Sequence, residues 1–402
     1  MTTSYHPPQK ILAKYADVLV NFALNSGKGV KPGEVVECVV PDIAKDLALE
    51  LQNSLLKSQA HPLIRLLPTG FDKSFYQLAD SDQLKFFPKR YLQERVRLID
   101  HQIGIIADAD PHELSEIEPE KIINSRDAKK KYRDWLINKE QHGKFTWTLA
   151  LWGVQAKADE VGLSLEDYWQ QIIKACFLDE VNPVKHWQEL FTLQHQIKDK
   201  INALDIDYLE VKGEDADLKV KLGPDRVWKM GGGRNIPSFE CFTSPDWRGT
   251  QGWIKFNQPL YRYGNVLKDI YLRFEKGRIV EARAKQGQKF LDQMLKSPNA
   301  DKIGEYSLTD KRMSRITHTM AETLFDENIG GPFGNTHLAV GMAYRDCFRG
   351  DQSKLKTADW KKRGFNHSAE HTDIISTTDR TVTAVLANQT KKVIYQDGMF
   401  TL

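Results

Sequence analysis

The sequence predicts an α/β protein of two domains: an N-terminal α/β domain with a mostly parallel sheet, and a mixed, β-rich C-terminal domain. Two observations support this fold class. Strand-like and helix-like segments alternate in the first half of the 402-residue chain, a rhythm typical of a parallel sheet with helical connections. From about residue 205 the expected strands are short and separated by glycine turns. We therefore place the domain boundary near residue 200, with domains 1–200 and 201–402.

The first half begins with a β-rich run at 34–40, which follows the Pro32-Gly33 turn. Apolar residues then recur every fourth position from Ile43 to Leu55, a spacing that places them on one face of a helix. The further expected elements are strands at 63–67 and 103–107, a helix around 84–98, and a mostly helical stretch from 118 to 201. This order predicts strands that are joined through helices and therefore run parallel.

The second half contains short strand-like runs separated by glycine turns. Two of these runs flank the pair Lys276-Gly277, which predicts a β-hairpin. The expected strands are 217–222, 270–275, 278–284 and 381–386. These segments predict a second domain that is mixed and β-rich.

Composition and charge exclude several classes of function. The 57 basic residues nearly balance the 54 acidic ones, and a net charge of +3 gives no reason to expect a nucleic-acid or membrane partner. The four cysteines are scattered, which is typical of a reducing compartment rather than a disulfide framework. The N-terminus lacks the pattern of a secretory signal, and no long apolar run occurs. We therefore expect a cytoplasmic protein.

Chemically informative residues lie between 235 and 375. His371 and Asp373 are two residues apart in a β-rich segment, so their side chains are expected on the same face of a strand. An imidazole and a carboxylate that project together suit two ligands of one metal ion. The alternative is a half-exposed strand whose polar side chains point outward, and the spacing alone leaves both interpretations open.

The segment from His367 to His371 also spells H-x-x-E-H, a pattern of single-zinc peptidases. That site needs a helix to bring its two histidines together, and the β-rich residues that follow disfavour one. A third, acidic ligand is also required, but no glutamate follows His371. The single-zinc interpretation is therefore the weaker one.

Three acidic segments add candidate ligands. Glu327 leads into a Gly/Pro loop, after which His337 opens an apolar segment that ends in Tyr344. Glu305 follows a glycine, and Glu240 lies among aromatic neighbours. A carboxylate in such apolar surroundings requires a partner. A metal ion and an arginine are both possible partners of Glu240.

The segments around Glu240, Glu327, His337 and His371, taken together and in this order, resemble the thermophilic aminopeptidase family of the aminopeptidase T and aminopeptidase S type. Residues 105–111 (Ile-Ile-Ala-Asp-Ala-Asp-Pro) are also similar to that family, and the similarity runs along most of the chain. The resemblance implies a dinuclear metal site that releases N-terminal residues from peptides. It also implies a homodimer that acts on peptide substrates.

The resemblance further assigns roles to individual residues. The implied metal ligands are Glu240, Glu305, Glu327, His337, His371 and Asp373. Glu305 is expected to bridge two divalent ions, and a site of mixed oxygen and nitrogen donors accepts Zn, Co, Mn or Mg. Tyr344 is the implied active-site tyrosine that hydrogen-bonds the developing oxyanion, and either Glu305 or Glu327 accepts the proton. The stretch Gly330-Gly331-Pro332-Phe333-Gly334 looks like an insertion relative to that family.

Two other functions are compatible with the same residues. One is a different dinuclear metal hydrolase, such as an esterase or a phosphoesterase, which substrate profiling separates from a peptidase. The other is a peptide-binding relative without turnover, which an activity assay together with a metal count distinguishes from an enzyme.

Overall fold

The structure is a computed structural model that describes residues 5–110, 113–262 and 264–402. The chain forms two compact units. One contains the residues up to Gln188 together with Gly232–Ile236, and the other contains Glu189–Gly231 and Pro237–Leu402. Pro111, the last residue of the segment 105–111, lies outside the described residues. The division between domains at residue 200 stays a prediction.

The first part of the chain alternates helices with strands. In chain order its elements are α1 (Gln9–Val18), a π-helix (Leu19–Ala23), α2 (Leu24–Gly27), β1 (Val35–Pro41), a 3₁₀-helix (Asp42–Ala44), α3 (Lys45–Lys57), β2 (His61–Leu67), α4 (Phe71–Leu78), α5 (Ser81–Lys85), α6 (Lys89–Leu98), β3 (His101–Ile106), α7 (Pro119–Ala128), α8 (Lys130–Gln141), β4 (Thr146–Leu151), α9 (Gln155–Glu160) and α10 (Leu165–Ala175). This order agrees with the predicted α/β domain.

The second part consists mainly of strands. It continues with α11 (Pro183–Asn202), β5 (Ile206–Gly213), β6 (Ala216–Lys221), β7 (Lys229–Met230), β8 (Asn235–Ile236), β9 (Glu240–Thr243), a 3₁₀-helix (Trp247–Gly249), β10 (Gln251–Phe256), β11 (Leu260–Arg262), β12 (Asn265–Leu267), β13 (Ile270–Glu275), β14 (Arg278–Arg283), α12 (Gln288–Leu295), β15 (Ile303–Thr309), α13 (Thr323–Asp326), β16 (Asn335–Gly341), two 3₁₀-helices (Arg345–Cys347 and Gln352–Lys354), α14 (Thr357–Lys362), β17 (His371–Ser376), β18 (Thr381–Leu386), β19 (Lys391–Gln396) and β20 (Met399–Phe400). The predicted fold class, a parallel α/β domain with a β-rich second domain, is confirmed.

The first unit contains a five-stranded sheet in the order β2-β1-β3-β4-β8. Each of its strand pairs is parallel. Helix α3 buries Leu47, Leu51 and Leu55 as their spacing predicts, whereas Ile43 lies before the helix and is exposed. The prediction of a mostly helical stretch at 118–201 missed strand β4, because this strand is short and lies between two helix-rich segments.

The second unit contains two larger antiparallel sheets and a small hairpin. The larger sheet has the order β14-β13-β10-β6-β5-β18-β19-β20, and the other has the order β17-β16-β15-β9-β7. The predicted hairpin joins β13 to β14. Both of its turn residues, Lys276 and Gly277, have positive φ, as a type I′ hairpin turn requires. Among the described residues, no helix is both long and apolar enough to cross a membrane.

Candidate metal centre

The five-stranded antiparallel sheet gathers most of the predicted site residues. Glu240 opens β9, Glu305 lies in β15, His337 lies in β16, and His371 and Asp373 lie in β17. These four strands are neighbours in the order β17-β16-β15-β9. The sheet therefore brings together residues that are separated by up to 133 positions in the sequence.

Strand register places these side chains on one face of the sheet. Ala339 of β16 lies between Glu305 of β15 and Asp373 of β17 in the ladder, and His337 is paired with Ser307. Paired residues, and residues two apart in one strand, share a face. The small side chains of Ala339 and Ser307 leave room among the larger polar groups, so the carboxylates and imidazoles converge above the sheet.

Three donor atoms form the closest group. One ligand atom from each of Glu240, Glu305 and His337 lies within 4.8 Å of the others. His337 Nε2 is 3.0 Å from Glu305 Oε1 and 3.3 Å from Glu240 Oε2, and Asp373 Oδ1 is 3.9 Å away. Carboxylate and imidazole donors in this arrangement match the ligand chemistry of divalent cations.

His371 approaches the same group from β17. Its Nδ1–H donates a hydrogen bond to the Met342 carbonyl at 2.8 Å, because a carbonyl only accepts. This contact leaves Nε2 as the ring nitrogen that is available to a metal ion. Nε2 lies 3.5 Å from Asp373 Oδ1 and 3.9 Å from Glu305 Oε2. The two oxygens of Glu305 therefore face different imidazoles, His337 and His371.

Burial leaves two polar atoms of the cluster without a hydrogen-bond partner, Glu305 Oε2 and His337 Nδ1. His337 is fully buried. Within the described part of the chain, the ion-pair partners of Glu240, Glu305 and Asp373 are the two histidines and no lysine or arginine. The arginine partner considered for Glu240 is thus not found there. An excess of buried carboxylate over positive charge fits a site for divalent cations.

The carboxylates and imidazoles shift one another's proton affinities. Burial raises the pKa of Glu305 to about 7, although the hydrogen bond to His337 opposes the shift. Burial also raises the pKa of Glu327 well above its usual range, and the charges of Glu240 and Asp373 add to the effect. For His371, burial lowers the pKa, but the charge and hydrogen bond of Asp373 and the charge of Glu305 together outweigh burial, and the pKa rises to about 9.

Glu327 and Tyr344 also lie within the electrostatic range of the cluster. Glu327 is buried, directly follows the short helix α13, and interacts electrostatically with Glu240, Asp373, His337 and Glu305. The Tyr344 ring is half-exposed and its centroid is 4.7 Å from that of His371. Burial and then the nearby carboxylates raise the pKa of the Tyr344 phenol, which therefore stays protonated and can donate a hydrogen bond.

The H-x-x-E-H segment does not form the zinc site that its letters suggest. Residues 366–370 are not helical, and His371 begins a strand. Glu370, the acidic residue of the pattern, pairs with Arg262 at 3.0 Å. The same arginine also donates to the His371 carbonyl at 3.0 Å. No sequence pattern marked Arg262, because its partner lies 108 residues away.

Fold and cluster together define a class of protein: a two-unit α/β protein whose β-rich unit gathers buried carboxylates and imidazoles suited to divalent cations. The chain belongs to the family of thermophilic metalloproteases (M29), whose sequence pattern matches residues 8–400. The predicted metallopeptidase family and enzyme class are thereby confirmed.

The chain is similar to several named relatives. It is 26% identical to aminopeptidase AmpS of Bacillus subtilis (strain 168), over 96% of this chain and 97% of that protein. It is 28% identical to aminopeptidase T of Thermus thermophilus, over 73% of this chain and 74% of that protein. A solved structure described as wild-type AmpT from Thermus thermophilus has a TM-score of 0.82 at 24% identity and covers 98% of this chain and 100% of that chain. This structural likeness shows the fold.

Proposed function

We propose that this chain is a metal-dependent aminopeptidase that hydrolyses N-terminal residues from peptides and uses two divalent metal ions. The observation that carries the proposal is the buried group of Glu240, Glu305 and His337, whose donor atoms lie within 4.8 Å of one another. Membership of a metalloprotease family and the similarity to proteins named aminopeptidases support it.

The proposed ligands are the six residues that the resemblance to the family implies. They are Glu240, Glu305, Glu327, His337, His371 and Asp373. The orientation of Glu305 supports a bridging role, because Oε1 is 3.0 Å from His337 Nε2 whereas Oε2 is 3.9 Å from His371 Nε2. A carboxylate whose two oxygens face different imidazoles is suited to join two cations.

When bound by these residues, divalent ions would supply Lewis-acid chemistry, which polarises a scissile carbonyl and makes a water molecule more acidic. The chain's own residues handle the proton. Because Glu305 directs both oxygens towards imidazoles, Glu327 is the better placed of the two proposed bases to hold the proton on a carboxyl oxygen and pass it to the leaving amine. Tyr344 keeps its phenolic proton and donates a hydrogen bond to the oxyanion.

Three finer features belong to the same proposal. The resemblance to the family supports a homodimer that acts on peptide substrates. The mixed carboxylate and imidazole donors are compatible with Zn, Co, Mn or Mg. The balanced charge and the scattered, free and buried cysteines support a cytoplasmic location without nucleic-acid or membrane partners.

The test is release of a chromophore from aminoacyl substrates before and after chelation. We expect turnover to disappear with chelator and to return when a divalent ion is added back. A substrate with a blocked amine is the control, because an aminopeptidase requires the free N-terminus. Nitrophenyl acetate and nitrophenyl phosphate test the esterase and phosphoesterase alternatives. Turnover that chelation does not affect contradicts the proposal, and two bound ions without turnover on any substrate indicate a non-catalytic relative.

A further inference from the structure

Glu327 differs from the other five proposed ligands because it is not part of the sheet. The others lie in adjacent strands, where the backbone ladder fixes their spacing. Glu327 instead follows α13, a helix of four residues, and precedes an irregular segment that leads to β16. So short a helix has little stability of its own. The position of Glu327 must therefore depend on side-chain contacts.

Asn328 supplies the first of these contacts. Its side chain is fully buried. Oδ1 accepts a hydrogen bond from the backbone N–H of Phe239 at 2.6 Å, and Phe239 immediately precedes Glu240. Nδ2 donates to the Leu324 carbonyl of α13 at 3.0 Å and lies 3.4 Å from Glu327 Oε1. One amide thus joins the start of β9, which carries Glu240, to the helix that precedes Glu327.

Asn335 supplies the second contact from the opposite direction. It opens β16, two residues before His337, and it is buried. Its Nδ2 donates to the Glu327 carbonyl at 3.0 Å and to the Asp326 carbonyl at 3.4 Å. Its Oδ1 is buried without a partner, which costs stability. The side chain is therefore oriented by what its amino group binds, the backbone of Glu327.

Both contacts act against the cost of burying a carboxyl group. Glu327 is buried on a segment outside the sheet. In the absence of a restraint, the cost of burial favours rotation of the Glu327 side chain towards solvent. The two asparagines oppose this movement through hydrogen bonds that do not depend on bound metal.

We infer that Asn328 and Asn335 are positioning residues for the metal centre: they hold Glu327 at a fixed place relative to Glu240 and His337. This inference rests on the proposed function. His337 lies ten positions after Glu327 in the sequence. Asn335, near the end of this connection, donates a hydrogen bond to the Glu327 carbonyl. This contact explains how both residues can belong to one site.

The test compares Asn328→Ala and Asn335→Ala with a matched control, Asn202→Ala. Asn202 also makes two hydrogen bonds to the backbone of a distant residue, accepting from Trp228 N–H at 2.8 Å and donating to its carbonyl at 3.0 Å, but it contacts no proposed ligand. Cobalt is titrated into each metal-free protein and followed by visible absorption, and the zinc content is measured after dialysis. Thermal unfolding of the metal-free proteins is recorded in parallel.

We expect Asn328→Ala to weaken binding of one of the two ions at least tenfold and to lower the zinc content from about two towards one per chain. Asn335→Ala loses only the hydrogen bonds that Nδ2 donates, because Oδ1 has no partner. It is expected to weaken that binding about threefold to tenfold. Asn202→Ala is expected to lower the unfolding temperature but to bind cobalt as the unmodified protein does. If Asn328→Ala does not fold, Asn335→Ala still tests the inference, because its lost contacts are fewer.

A double-mutant cycle separates positioning from general stabilisation. If the asparagines act through Glu327, then Asn328→Ala adds little to the loss in cobalt affinity already caused by Glu327→Gln. Additive losses, or unchanged cobalt affinity in both asparagine variants, overturn the inference and leave the proposed function intact. A wild-type protein that binds no divalent ion overturns the proposed function and the inference together.

Discussion

Two buried histidines of this protein, one in each unit, have very different surroundings. His101 begins β3 of the first unit, where Nδ1 is 2.8 Å from the Thr146 hydroxyl and Nε2 is 2.9 Å from Glu34 Oε2. Glu34 also accepts from Lys31 N–H and from Asn25 Nδ2. Both ring nitrogens therefore have partners, and the carboxylate is satisfied by three donors.

Around His337 of the second unit, carboxylate oxygens outnumber the hydrogen-bond donors that could satisfy them. Its Nδ1 has no partner, whereas Nε2 faces carboxylate oxygens of Glu240, Glu305 and Asp373 at 3.0–3.9 Å. Oε2 of Glu305 is unpartnered as well. The comparison teaches that a buried histidine beside a carboxylate is not by itself a metal site. The distinguishing feature is an excess of carboxylates over hydrogen-bond donors, which a divalent cation neutralises.

The largest expected effect is that of Glu305→Gln. The change removes the charge at the centre of the cluster, between the two imidazoles. We expect kcat/KM on an aminoacyl substrate to fall at least about a thousandfold, since both ion binding and transition-state stabilisation are lost. Steady-state kinetics and zinc content measure the two losses. Glu34→Gln is the control and keeps wild-type activity; equal losses in both variants contradict the distinction between the two histidine sites.

Tyr344→Phe is expected to have the next largest effect. The substitution removes only the phenolic oxygen, so kcat should fall about a hundredfold, as for the loss of one oxyanion donor, with little change in KM. Zinc content should stay at the wild-type value, because Tyr344 is not a proposed ligand. A variant that retains wild-type kcat shows that the phenol does not contact the reacting group.

How much of the molecule the sequence could predict depends on whether neighbouring or distant residues determine each feature. Regular periodicity identified α3, and the turn pair Lys276-Gly277 identified the hairpin, because both depend on neighbouring residues. The resemblance to a family supplied the candidate ligands. The spacing of His371 and Asp373 correctly predicted a shared strand face, since strand alternation is local.

What the sequence could not predict is set by contacts between distant residues. The pairing of Arg262 with Glu370 spans 108 residues, and the bond from Phe239 to Asn328 spans 89. Neither leaves a periodic pattern. Strand β4 was missed for a related reason: its six residues lie among helices, and its conformation depends on pairing with β3.

The third prediction concerns the metal-free protein and its stability as a function of pH. Burial raises the pKa of Glu305 to about 7, so this group contributes stability below its unfolded pKa of about 4.5 and loses it as the pH rises through about 7. The loss amounts to a few kcal/mol, at about 1.4 kcal/mol per pKa unit. We expect chelated wild-type protein to lose stability between pH 5 and pH 8, and Glu305→Gln to lose less. Urea unfolding measures this; identical pH slopes contradict it.

The smallest expected effect has the opposite sign and belongs to the first unit. Burial acts to raise the pKa of Glu34, but the hydrogen bonds from Lys31 N–H, His101 and Asn25 outweigh it and the pKa is lowered. Its contribution to stability is therefore present above the unfolded pKa of about 4.5 and is lost as the pH falls through the lower folded pKa. Because Glu34 is only partly buried and solvent screens its charge, the contribution is expected to stay within about 1 kcal/mol. In urea unfolding, the wild type should therefore have a larger free energy of unfolding than Glu34→Gln at pH 7, and the two values should converge near pH 3. A difference that grows as the pH falls would contradict a lowered pKa of Glu34.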